Sequence, residues 1–252
     1  MSSTHPRIVG VIPARLASTR LPRKVLGDIA GKPMLAWVYA AAKACPQLDE
    51  VIVATDSAEV QALCEERGWR CLMTSANLPS GTDRLYAVSR VVDADIYVNI
   101  QGDEPLLLPE HITAILALFT SESVEVTTPK VRCTAEDVGN PNAVKVVTAL
   151  DGRALYFSRA TIPFDRDAQG KATYWKHLGL YAYRRAALER FAALAPSGLE
   201  LCERLEQLRL LENGISIYVA ETTADTIGVD TEEDRRRVEA ILLGRGVGLQ
   251  SS

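Results

Sequence analysis

The hydrophobic pattern along the first hundred residues alternates between short continuous apolar runs and longer amphipathic stretches. Ile8–Pro13 (IVGVIP), Val51–Asp56 (VIVATD), Arg70–Thr74 (RCLMT) and the start of Ile96–Pro105 (IYVNIQGDEP) read as strands. Between them, Pro33–Cys45, Ser57–Gly68 and Thr82–Val92 read as helices. Pro33 suits a first-turn position, Ser57 an N-cap and Gly68 a stop. Apolar strands separated by helices predict a parallel sheet covered on both faces.

The pattern changes after about Ser121. Val124–Val131, Ala143–Leu150, Arg153–Arg159 and Lys176–Arg185 read as strands, two of them joined by an Asp151-Gly152 turn. This predicts antiparallel or mixed strands inserted into the α/β frame at roughly residues 125–184, within one domain spanning 1–252. Helices return at Arg184–Leu194 and Leu199–Gly214. A strand follows at Ile215–Ala220, then a last helix within Gly228–Gly244 that Thr231 would cap. The two ends, Met1–Pro6 and Gly244–Ser252, are expected to be loose.

Composition narrows the class. The 252 residues are 47% apolar and 24% charged, with a formal net charge of −4. An acidic chain of this kind argues against broad nucleic-acid or anionic-membrane binding. The five cysteines form no CxxC and no metal-ligand spacing, so reduced thiols in a cytosol are expected. Arg15 and Arg20 interrupt the only early apolar stretch. The chain therefore reads as soluble and cytoplasmic.

Against that acidic background, Val11–Lys24 (VIPARLASTRLPRK) gathers Arg15, Arg20, Arg23 and Lys24 directly after the first strand, with no acid among them. Ligands of open parallel sheets sit beyond the carboxyl ends of strands, so this loop suits a polyphosphate. The glycine fingerprints of dinucleotide folds and P-loops are both absent. At the end of the fourth strand, Gly102 permits a turn and Asp103 follows, either as a magnesium ligand facing phosphate or as a helix-capping carboxylate. Asp230 is either a second metal carboxylate or an ordinary helix-start acid. Ser80 and Arg84 (PSGTDR) suit a nucleotide or a plain helix entry. His177 is either a satisfied core histidine or a functional one, while Glu206 and Gln207 interrupt a leucine-rich helix.

Taken in order, IPARLASTRLPRK, GKPM, VATD, SGTDR, NIQGDEP, NPNAVK, YFSRATIPFDR, HLGLYAY, LEQLR and GVDT resemble the CMP-Kdo synthetases, the 3-deoxy-manno-octulosonate cytidylyltransferases, from Ile8 to about Leu243. The resemblance implies a Rossmann-like nucleotidyltransferase fold, an inserted β region that covers the sugar pocket and serves dimerisation, and a homodimer. It implies CTP and the sugar acid Kdo as substrates, Mg²⁺ as cofactor, and CMP-Kdo with pyrophosphate as products for lipopolysaccharide assembly. By the same resemblance, Arg15, Arg20 and Lys24 would bind triphosphate, Ser80 and Arg84 would lie on the CTP side, and the main chain at Ser75 and Ala76 would read cytosine. Gln101 and Asp103 would meet both substrates, with Asp103 and Asp230 holding the metal. Arg159, Arg166, His177, Tyr181, Glu206 and Gln207 would line the sugar pocket.

Three positions depart from the family pattern: Arg23 where a glycine is usual, LELCER before LEQLR, and Asp83 for a common glutamate. The competing readings are the same reaction on the 8-amino analogue of Kdo, a CMP-sialic acid synthetase, a non-catalytic nucleotide-binding protein and an NAD-dependent dehydrogenase. The missing glycine fingerprint counts against the last.

Overall fold

The computed structural model describes residues 5–16, 21–167 and 169–248, with side chains up to Gly244. The chain divides into two compact units, one formed by the segment ending at Pro109 together with the segment from Thr226 onward, the other by Glu110–Asp225.

In the first unit, β1 (Ile8–Ala14) is followed by a short ribbon, β2 (Asp28–Ile29) with β3 (Lys32–Pro33), and by α1 (Met34–Lys43). Then come β4 (Glu50–Thr55), α2 (Ala58–Arg67), β5 (Arg70–Met73), α3 (Gly81–Ser89) and β6 (Ile96–Asn99). The four long strands pair in parallel in the order β5-β4-β1-β6. The side chains of β1, β4 and β6 are almost all buried, as continuous apolar runs require, whereas β5 is exposed at both ends and half-buried between. Ser57 caps α2 by accepting from the Glu59 and Val60 amides, and Gly68 ends it in the left-handed region at φ 67°. Pro33 stands at the N-cap of α1 rather than inside its first turn, because it still pairs with Asp28 in the ribbon.

The last helix, α9 (Glu232–Gly248), belongs to this unit. Thr231 Oγ1 accepts from the Asp234 amide, and Asp234 Oδ2 accepts from the Thr231 amide, a reciprocal cap. Val229, Val238 and Leu242 pack with Ile29, Met34 and Leu106 in one buried cluster. Burial of such side chains is worth about 1.5–3 kcal/mol each. This cluster returns the end of the chain to its beginning.

The second unit contains α4 (Pro109–Leu116), β7 (Val126–Arg132), α5 (Ala135–Gly139), β8 (Lys145–Thr148), β9 (Ala154–Ser158), β10 (Trp175–His177) and β11 (Tyr181–Arg184). It continues with α6 (Arg185–Ala193), α7 (Gly198–Glu203), α8 (Leu208–Glu212) and β12 (Ile217–Thr222). Strand β7 is its hub, antiparallel to β10 and β11 and parallel to β12. The β8–β9 hairpin turns at Gly152, whose φ of 85° favours glycine. The antiparallel strands expected between 125 and 184 are present, and β12 joins them from outside that range.

Two elements expected to be continuous are broken. Lys176–Arg185 splits into β10 and β11, because the Leu180 amide turns back to the Leu178 carbonyl at 2.8 Å. The Thr128 hydroxyl lies 3.3 Å from the Leu178 carbonyl and 2.7 Å from that of Leu180. Leu199–Gly214 splits into α7 and α8 at Arg204, a left-handed residue with φ 55°. No glycine or proline marks that break.

Beyond β6 the chain passes so close to β1 that a Cβ on Gly102 would sit 2.8 Å from the Pro13 carbonyl oxygen. A glycine is therefore required next to Asp103. Gly102→Ala should lower unfolding stability by about 1–3 kcal/mol through overpacking against backbone. Thermal or denaturant unfolding measures it, and a loss below the error of the measurement would contradict the close approach.

Candidate functional site

The carboxyl ends of β1 and β6 carry the first group of residues. Lys24 opens a single 3-10 turn, Lys24–Leu26. Its ammonium donates to Asp103 Oδ2 at 2.6 Å and to Asp230 Oδ1 at 3.0 Å. Two backbone features hold the acids there. The Val229 amide donates to the Asp103 carbonyl at 2.9 Å, and the Asp230 amide donates to Asp234 Oδ2 at 3.1 Å. Lys24 is 11% exposed, Asp103 32% and Asp230 44%. Burial opposes the lysine charge, but the Asp103 and then the Asp230 carboxylates outweigh it and hold the ammonium above its ordinary pKa.

This arrangement fits a hard divalent cation. A positive charge already bridges two carboxylates, and both supply the oxygen ligands that magnesium prefers. Among the described residues no group of three or more acids, histidines or cysteines converges. A magnesium ion held through one or two carboxylates takes its other ligands from phosphate and water.

Arg23, just before Lys24, adopts the left-handed conformation at φ 57°, ψ 28°. The glycine usual in the resembled family would adopt it freely, whereas an arginine gives up about 1–2 kcal/mol. Its guanidinium pairs with Glu59 on α2. Arg20 lies outside the described residues.

The loop between β5 and α3 is pinned at both ends. Arg15 reaches the Leu78 and Pro79 carbonyls with its two terminal nitrogens at 3.5 and 3.3 Å. The Thr74 amide donates to the Thr55 carbonyl at 2.8 Å. Between them Ser75 and Ala76 are exposed. Ser80 caps α3, accepting from the Asp83 amide and donating to Asp83 Oδ2 at 2.7 Å. Asp83 thus bonds the Ser80 hydroxyl rather than the Ser80 amide, so the cap is one-sided. Arg84 is fully buried and bonds Asp56 at 3.0 Å and Thr74. Gln101 is half-buried in the turn after β6.

In the second unit, His177 on β10 and Tyr181 on β11 flank the break in the strand. Their rings lie 5.3 Å apart, and Phe157 meets His177 edge-on at 4.9 Å. His177 Nε2 is 3.0 Å from Thr128 Oγ1. The single Thr128 proton serves the Leu180 carbonyl at 2.7 Å, so His177 carries its proton on Nε2 and donates. Burial drives the His177 pKa down to about 3, leaving the ring neutral. Burial, then the nearby Tyr183 and Glu206, raises the Tyr181 hydroxyl well above its usual value. Gln207 is buried at the entry to α8, with Glu206 half-buried beside it.

Arg159 is committed to protein groups, donating from Nε to the Glu203 carbonyl at 2.7 Å and from Nη1 to the Pro141 carbonyl at 2.9 Å. The Glu203 carboxylate in turn takes the Ser158 hydroxyl at 2.6 Å and the Arg159 amide at 3.0 Å. The altered LELCER segment thus serves as an anchor for the end of β9. Arg166 is exposed in a turn and makes no ion pair among the described residues.

Sequence reasoning passed over Asp56, Thr74, Thr128 and Glu203. Asp56 ends an apolar strand, a signal equal to that of Asp103. Thr128, one of several threonines on a strand, carries no such signal.

The family model described as Cytidylyltransferase matches residues 9–217. A 3-deoxy-manno-octulosonate cytidylyltransferase of Acidobacterium capsulatum is 64% identical over 245 residues, covering 97% of this chain and 99% of its own. One of Koribacter versatilis is 59% identical over 239 residues, covering 95% of this chain and 91% of its own. A solved structure of CMP:2-keto-3-deoxy-manno-octonic acid synthetase complexed with CTP superimposes with a TM-score of 0.91 at 43% identity, covering 95% of this chain and 99% of that one. With its ordered motifs, its parallel sheet and these relatives spanning nearly its whole length, the chain belongs to the 3-deoxy-manno-octulosonate cytidylyltransferase, or CMP-Kdo synthetase, family.

Proposed function

We propose that this protein transfers CMP from CTP to the anomeric hydroxyl of Kdo and releases pyrophosphate, activating the sugar acid for lipopolysaccharide biosynthesis. The observation that carries the reading is the meeting of Lys24, Asp103 and Asp230 beyond the parallel strands. The 64% identity to a 3-deoxy-manno-octulosonate cytidylyltransferase supports the choice of sugar.

The residues divide the work by their chemistry. Lys24 and Arg15 stabilise the charge of the leaving pyrophosphate, with Arg20 assigned to the same task by resemblance. Asp103 and Asp230 would hold Mg²⁺. Bound there, the ion would supply Lewis-acid polarisation of the α-phosphate and a lowered pKa for the attacking hydroxyl. Gln101, Ser80 and the main chain at Ser75 and Ala76 orient the nucleotide. Arg166 is free to take the sugar carboxylate, and neutral His177, Tyr181, Glu206 and Gln207 serve its hydroxyls. Arg159 supports the adjoining backbone. The anomeric hydroxyl oxygen attacks the α-phosphorus as its proton passes to solvent, the bond to pyrophosphate breaks, and no covalent enzyme intermediate is required.

A homodimer fits the second unit, where Leu155, Phe164 and Leu201 are more than half exposed. Light scattering should give twice the 27.5 kDa chain mass, and Phe164→Asp should shift it toward the monomer. A wild-type monomer at micromolar concentration would reject the dimer. A cytoplasmic site of action fits the five free cysteines. No helix among the described residues is long and apolar enough to cross a membrane.

Pyrophosphate release with CTP, UTP, ATP and GTP, against Kdo and its 8-amino analogue, tests the whole reading. Turnover should require CTP and prefer Kdo; no release with that pair rejects it. Asp103→Asn should lower kcat by about 100-fold or more while the protein stays folded. Near-normal turnover at saturating magnesium would remove Asp103 from the metal site.

The half-buried His177 also sets a pH dependence. Unfolded His177 takes a proton below about 6.5, which the folded protein refuses until about 3. Stability from this group is therefore complete above pH 6.5 and falls as pH drops through that window. His177→Gln should flatten that part of the stability profile. Equal slopes for the two proteins in denaturant titrations between pH 6.5 and 4 would show that the fold does not hold the ring neutral.

A further inference from the structure

Arg84 shows no surface to a ligand. Its side chain is 0% exposed. One terminal nitrogen pairs with Asp56 Oδ2 at 3.0 Å, the other bonds the Thr74 hydroxyl, and the buried Nε has no acceptor. The three partners come from three elements: Asp56 just past β4, Thr74 just past β5, and Arg84 inside α3. The Thr74 hydroxyl also donates to the Thr55 carbonyl at 3.1 Å. A buried ion pair adds little net stability over apolar residues of the same size, and an unsatisfied guanidinium nitrogen costs more still. Stability alone does not account for such a group. What it does supply is a fixed geometry, since a planar fork holds two partners at once in one orientation.

The segment so held begins at Thr74 and runs through Ser75 and Ala76. The far end is held separately by Arg15 on the Leu78 and Pro79 carbonyls. The backbone amides of Ser75 and Ala76 enter no hydrogen bond among the described residues, and both residues are exposed. Two arginines therefore fix the ends of a loop whose middle amides stay open.

We infer that Arg84 is a positioning residue for base selection, acting through Asp56 and Thr74 on the main chain at Ser75 and Ala76 rather than touching CTP. The inference rests on the proposed reading in which that main chain meets cytosine. Cytosine presents an unprotonated ring nitrogen, an acceptor, where uracil carries an N–H donor. An open backbone amide donates to the first and opposes the second, so discrimination depends on where that amide stands. A displacement of about 1 Å at such a contact costs on the order of a hundredfold.

The test compares Thr74→Val, which removes the hydroxyl at constant shape, with Thr74→Ser and with Arg84→Lys. The lysine keeps a buried charge for Asp56 but loses the second arm of the fork. Calorimetry measures CTP, UTP, CMP and pyrophosphate binding for each, alongside thermal unfolding. Thr74→Val and Arg84→Lys should weaken CTP and CMP equally, by roughly ten- to a hundredfold. Both should narrow the CTP-over-UTP preference and leave pyrophosphate binding unchanged, while Thr74→Ser restores the wild-type pattern. Lys24→Ala should do the reverse, weakening CTP and pyrophosphate far more than CMP. Pyrophosphate binding that falls along with CTP in the Thr74 and Arg84 variants would mean direct phosphate contact and overturn the inference. So would an unchanged base preference in folded Thr74→Val, which answers the question even if Arg84→Lys fails to fold. A wild-type protein that binds UTP as well as CTP would sink the cytosine reading of the loop itself, and the inference with it.

Discussion

The shared ammonium of Lys24 is the constraint on which the rest of the first unit depends. Asp103 and Asp230 are separated from it by 79 and 206 residues along the chain. Two carboxylates on one point repel each other unless a cation stands between them. The fold supplies that cation and then defends the position from three sides. Gly102 lets the turn pass against Pro13, the Val229 amide ties the two acidic segments together, and the cluster around Val229, Met34 and Val238 anchors the end of the chain against the start. A site of this kind needs a long-range core before it has any chemistry.

Arg23 shows how local strain is accepted for the same purpose. Its φ of 57° lies in the left-handed region that favours glycine, yet the residue here is an arginine. The Glu59 ion pair sits at the surface, with both side chains about half exposed or more, and so returns little stability. The left-handed turn matters because it begins the 3-10 turn that starts at Lys24. The strain is thus borne by backbone that delivers the lysine.

In the second unit the organising group is a hydroxyl. Thr128 stands on the hub strand β7 and meets the Leu178 and Leu180 carbonyls as well as His177 Nε2. It fills the gap where β10 gives way to β11 and thereby decides the tautomer of the histidine. The neutral imidazole is a donor of fixed direction, which suits recognition of hydroxyl groups more than proton transfer near neutrality.

Short-range physics was legible in the residues alone. Period and caps marked the strands β1, β4, β5 and β6 and the helices between them, because burial on both faces and the needs of helix ends act within a few residues. Ser57, Gly68 and Thr231 stand at the ends expected of them. The basic loop stood out against an acidic chain, while Asp103 and Asp230 each remained open between a metal ligand and a helix-start acid. What the residues did not announce depended on neighbours distant in sequence. Nothing in LELCERLEQLR marks the break at Arg204. In HLGLYAY only Gly179 hints at the turn at Leu178–Leu180, and the threonine that meets the turn stands some fifty positions earlier. Arg84 read as a nucleotide contact, and only packing shows it sealed against Asp56 and Thr74. Local sequence determines which elements form and where charge is available. Tertiary structure alone decides which charges meet, which are buried, and which remain open to a ligand, because burial and pairing are properties of the neighbours that folding brings.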